Sequence, residues 1–151
     1  MHKTISATEA KSKLLEVRRA IESYLKLVGE ENDNVTWNRK DPEENFIQTE
    51  LYKISRDLED ALESVQYLEK DIIAEGELYL NSQGRYEIND DVYFTSGSRC
   101  EILLYDEVEE TYYWRRTTIE HNGEDYYATA LGREASIEGI KARARKSRYS
   151  Y

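Results

Sequence analysis

The residue types that make and break bonds are scarce in this chain. Its 151 residues include one cysteine, Cys100, and two histidines, His2 and His121. A thiol beside an imidazole is a nucleophile with its own base, and Cys100 with His121 is the pair the composition allows. Their neighbours favour a plainer reading. Cys100 alternates into an apolar strand as a small core residue, and His121 flanks the turn pair Asn122-Gly123. HExxH and CxxC spacings are absent, so no metal site is expected. Neither GxGxxG nor GxxxxGK followed by Ser or Thr occurs, so no phosphate-bearing cofactor is expected. The run Asp106-Glu107-Val108-Glu109-Glu110 has carboxylates enough for a divalent cation but lacks the spacing and central glycine of a calcium loop. It reads as a solvated hairpin loop, and the chain as a protein that is not an enzyme.

What remains is charge. Lys and Arg number 21 against 31 Asp and Glu, a net charge of −10. Its mean field repels polyanions, which argues against wholesale binding to nucleic acid or an anionic membrane. The charge is uneven: +2 over residues 1–40, −8 over 41–76, −8 over 77–132 and +4 over 133–151. An acidic surface for a basic partner is therefore expected from Glu43, Glu50, Asp57, Glu59, Asp60, Glu63 and Asp71, with Asp106, Glu107, Glu109 and Glu110. Glu43, Glu50, Asp57 and Asp71 recur at multiples of seven. One heptad is about 10.5 Å of helix, against one duplex-DNA charge per roughly 1.7 Å, so the row is sparse for full DNA mimicry. An alternative contact with nucleic acid lies in the basic tail, where Lys141, Arg143, Arg145, Lys146 and Arg148 lead to Tyr149. A last strand pairing its arginines with nearby acids is the blander reading of the same residues. A lone cysteine suits a reducing cytoplasm, and no apolar run approaches the roughly 18 residues of a membrane span. Nor does the start carry the apolar stretch of a signal peptide.

Two elements must position the first acidic set. Ser6-Ala7-Thr8-Glu9 has capping-box spacing, and Ala10, Leu14, Val17, Ile21, Leu25 and Val28 mark one helical face that stops at Gly29. Asp41-Pro42-Glu43-Glu44 starts a second helix. Ile47, Leu51, Ile54, Leu58, Ala61, Val65, Leu68 and Ile72 then step by 4 and 3 in a heptad seam. Residues 1–76 therefore read as an antiparallel, coiled-coil-like helical hairpin. Two helices bury little, so another layer or a second copy is expected to cover them, and a homodimer through the hairpin is one expectation.

The second acidic set falls in a region of period two. Short apolar and aromatic runs alternate with turns at Asn81–Gly84, Asn89–Asp91, Ser96–Ser98 and Asn122-Gly123, ending in Lys141–Arg145. Residues 77–151 read as a small SH3-like antiparallel β-barrel with a basic tail, its core filled by Tyr79, Tyr86, Tyr93, Phe94, Tyr105, Tyr112, Tyr113, Trp114, Tyr126 and Tyr127. The fold class expected is α+β.

Residues 77–146 carry Gly84-Arg85-Tyr86-Glu87, Ser96-Gly97, Trp114 with Ile119-Glu120, Gly123-Glu124-Asp125-Tyr126-Tyr127-Ala128 and Ile137-Glu138-Gly139-Ile140-Lys141-Ala142-Arg143. This set resembles a short bacterial domain family of unknown function, found in phages, plasmids and conjugative elements. The resemblance carries over no catalytic or binding residue. It implies a mobile-element accessory protein. With the acidity, the expectation is a protein-binding module that inhibits a basic, nucleic-acid-binding host defence enzyme, as an anti-CRISPR does. A nucleic-acid accessory using the basic tail and barrel aromatics is the alternative, and a structural homodimer a third.

Overall fold

The computed structural model describes residues 2–90 and 92–147. The chain is α+β, two long helices followed by antiparallel sheets, in two compact units, Met1–Glu69 and Lys70–Tyr151.

In the first unit, α1 spans Ala7–Val28 and α2 spans Pro42–Glu69. Ser6 caps α1 by accepting from the Glu9 amide at 3.1 Å. Gly29 ends it at φ 80°, the left-handed region that favours glycine. Asp41 caps α2 through the Glu43 amide at 2.9 Å, with Pro42 first in the helix. Tyr24 on α1 bonds Ser55 on α2 at 3.1 Å, and Arg18 pairs with Glu69, so the contacts run in opposite order along the two helices.

The heptad seam expected α2 to continue through Ile72. It stops at Glu69, and β1, Ile72–Glu77, begins after Lys70 and Asp71. Apolar spacing at Ile72 satisfies either period. The outcome is set by pairing: Arg145 Nη1 donates to the Lys70 carbonyl at 2.9 Å, the Lys146 amide donates to the Asp71 carbonyl at 2.8 Å, and Ile72–Glu77 pairs antiparallel with the last strand. The β-branched Ile72-Ile73 pair suits a ladder better than a helix end.

The second unit contains two sheets. After β1 come β2 (Tyr79–Leu80), β3 (Tyr86–Ile88), β4 (Val92–Tyr93), β5 (Ser98–Asp106), β6 (Thr111–His121), β7 (Tyr126–Ala128) and β8 (Lys141–Arg145). One sheet has the order β1-β8-β5-β6-β7, the other β2-β3-β4. The small barrel expected for residues 77–151 is not closed. Strands β1 and β7 remain edges, and β2 to β4 form a separate ladder because Leu78 leaves the β1 line, pairing its backbone with Ile140. Both sheets send side chains into one core, with Leu78, Tyr86, Ile88 and Phe94 meeting Cys100, Ile102, Ile119, Ile137 and Ala142. The aromatic filling expected for that core is also corrected. Tyr86 and Phe94 are buried, whereas Tyr93, Tyr105, Tyr112 and Tyr113 are exposed. Isoleucines and alanines occupy the space instead, because alternation along β5 and β6 turns Tyr105, Tyr112 and Tyr113 away from the core or past its end.

Candidate functional site

Strands β5 and β6 pair from Ser98 with Ile119 to Asp106 with Thr111. Their other partners are short. Strand β8 joins β5 at Glu101 and Ile102, and β7 joins β6 at Ile119–His121. Among the described residues, the two strands from Leu103 to Trp114 therefore pair only with each other, as a ribbon extending beyond the third strand on either side. Leu103 lies opposite Trp114 and Tyr105 opposite Tyr112 on one face, with Leu104 opposite Tyr113 on the other. The Tyr105 and Tyr112 rings pack with centroids 5.0 Å apart. At the tip, Asp106 Oδ1 accepts from the Val108 amide at 2.9 Å and from the Glu109 amide at 3.1 Å, and Glu110 takes φ 52° to close the turn. Tyr112 is 68% exposed and Val108 89%. Leu103–Trp114 includes four carboxylates and no basic residue. We call this ribbon the arm.

Its root is held by a buried carboxylate. Glu101 is 4% exposed. Its Oε1 accepts from Arg143 Nε at 3.0 Å and Nη2 at 2.7 Å, while Oε2 accepts from Arg145 Nε at 2.7 Å. Arg116 sits directly across the ladder. The Arg143 guanidinium also lies 4.3 Å from the centre of the Trp114 ring. Forked arginine–carboxylate bonds fix direction as well as charge, so β8, β5 and the first ring of the arm are tied at one point.

The acidic residues named from sequence fall into two groups. Asp106, Glu107, Glu109 and Glu110 come together at the arm tip. Glu43, Glu50, Asp57, Glu59, Asp60 and Glu63 lie on α2, and at 100° per residue they do not share one side. The row Glu43, Glu50 and Asp57 flanks the seam, Glu59 and Glu63 point elsewhere, and Glu50 pairs with Lys53 at 3.4 Å. Asp71 lies between α2 and β1. Of the basic set, Arg143 and Arg145 hold Glu101, Lys141 and Lys146 are exposed, and Arg148 and Tyr149 lie outside the described residues. Glu101 and the arm's root went unremarked in the sequence. The available signal was an acid inside Cys100-Glu101-Ile102-Leu103-Leu104, matched by Arg143 and Arg145 two apart in a strand.

Cys100 and His121 are not brought together. Cys100 pairs with Thr117, and His121 stands four residues further along β6, about 13 Å away. The His121 Nδ1 accepts from the Gly123 amide at 3.0 Å. Burial, then the charge of Glu101, pushes the Cys100 thiol up to about 12 from its ordinary 9.0. Native Cys100 is therefore expected to resist maleimide at about pH 7.5 and to react only on unfolding. The fold favours the neutral thiol. Its contribution is complete below about pH 9, where the unfolded thiol ionises, and is lost as pH rises toward about 12. Urea midpoints at about pH 8 and about pH 10 should fall further apart in the wild type than in Cys100→Ala.

Among the described residues no three His, Cys, Asp or Glu side chains gather as a metal site, and no helix is long and apolar enough to cross a membrane. Residues 76–144 match a family model whose description is Domain of unknown function (DUF5348). The match runs from β1 into β8, takes in the whole arm and includes no part of α1 or α2. No curated protein and no solved structure matches the chain.

Proposed function

We propose that this chain is a non-enzymatic protein-binding module that inserts the β5–β6 arm into a basic groove of its partner. The observation that supports the reading is the arm: four carboxylates without a base, beside exposed Tyr105, Tyr112 and Val108, on a ribbon that no third strand joins among the described residues. A groove built for nucleic acid combines cations that meet phosphate with apolar or aromatic surface that meets bases. Carboxylates and tyrosine rings spaced along one ribbon answer both. The partner class is thus a nucleic-acid-binding protein. The sharpest form of the reading is a mobile-element inhibitor of a host defence enzyme, in the manner of an anti-CRISPR. Tyrosine is well suited to such a surface, since it adds contact area at low conformational cost.

The experiment is capture from nuclease-treated bacterial host lysate, with wild type and an arm variant (Glu107→Lys, Glu109→Lys, Glu110→Lys, Tyr112→Ala) run side by side. Wild type should retain a nucleic-acid-handling protein that rising salt releases, and the variant should lose it. Equal retention by both would remove the arm from the account.

A further inference from the structure

We propose that the helical unit associates with a second copy of this chain through the face of α2 that α1 leaves open. This goes beyond the arm and involves none of its residues.

The seam of α2 divides into two rows. Leu51, Leu58 and Val65 are half-buried, on the side where Ser55 and Glu69 meet α1. Ile47, Ile54, Ala61 and Leu68, each seven residues apart, run beside that row and are exposed. Ile47, Ile54 and Leu68 are 46%, 48% and 41% exposed. On α1, Val17, Ala20 and Leu27 are exposed. Among the described residues of the two helices, only Val28, Ser55 and Tyr67 are buried. A helix pair so little buried leaves apolar surface for a further layer to cover.

Spacing and charge identify the occupant. A row repeating every seven residues packs on another helix, and in a four-helix bundle each helix has two helical neighbours where α2 now has one. Charge then selects which helix. Helix α1 has five basic and three acidic residues, net +2, and α2 has two basic and eight acidic, net −6. Stacking α2 on its own copy sets −6 against −6, with the Glu43, Glu50 and Asp57 rows facing each other. A two-fold arrangement that lays the copy's α1 over α2 sets +2 against −6, and does so twice. The chain therefore supplies its own complement.

Sedimentation of the full chain at about 10 μM reads the mass directly. The expected value is twice 17.8 kDa. Ile54→Glu with Leu68→Glu should return 17.8 kDa with an unchanged far-UV spectrum, because both positions are exposed in the single chain. The melting temperature of the wild type should rise with concentration, and that of the variant should not. A wild type of 17.8 kDa up to about 100 μM would overturn the proposal, leaving the row to a different protein. So would a double variant that stays at twice that mass. The arm variant above should keep the dimeric mass, so failure of one proposal is read separately from failure of the other.

Discussion

Replacing Glu101 with alanine is expected to destabilise the sheet unit by about 3–5 kcal/mol, enough to leave much of it unfolded near 37 °C. The carboxylate is 4% exposed, and the Arg143 and Arg145 side chains that hold it are themselves largely buried. Removing it takes from Arg143 and Arg145 the carboxylate that accepts their guanidinium bonds, in a place water reaches poorly. Arg116, opposite on the ladder, adds to the positive charge left behind. Glu101→Gln keeps the shape but loses the charge, and should fall between wild type and alanine. Glu101→Met with Arg143→Leu and Arg145→Leu replaces the whole network by apolar groups and should recover most of the loss. Urea denaturation of the four proteins measures this. If Glu101→Ala melts within about 1 kcal/mol of wild type, the network does not hold the arm's root.

Ile102→Ala is the second large effect, at about 2–5 kcal/mol. Ile102 is fully buried at the centre of β5, paired with Arg115 on one side and Ala142 on the other. Its core neighbours are held by two ladders and close only partly over the lost methyl groups. Three residues further along the same strand the outcome differs. Tyr105 is exposed on the arm, so Tyr105→Ala should change stability by no more than about 0.5 kcal/mol. The contrast within one strand separates the part of β5 that maintains the fold from the part free to contact something else.

How much of this was legible in the sequence depends on how local the deciding interaction is. Helix starts were readable because Ser6 and Asp41 satisfy amides two or three residues away. The end of α2 was not. Ile72 fits a heptad and a strand equally, and the decision rests with Arg145 and Lys146, more than seventy residues on. Turns at Gly97 and Gly139 were readable, since both adopt φ near +80°. Sheet order was not, because β1 pairs with β8 across most of the unit. The ten aromatics gave no warning that alternation would leave Tyr93, Tyr105, Tyr112 and Tyr113 outside the core. The acidic run at Asp106 was visible as charge. Its place at the end of a two-stranded ribbon depends on where β7 and β8 stop, which no residue near the tip encodes.

The central claim is that the arm is the surface a partner reads. The direct measurement is calorimetric titration of the captured partner, at about 0.15 M salt, with wild type, with Tyr112→Ala and with the three-lysine tip variant. The account predicts a loss of at least about 100-fold in affinity for the tip variant, a smaller loss for Tyr112→Ala, and competition between wild type and the partner's own nucleic acid. Undiminished affinity in both variants would contradict it.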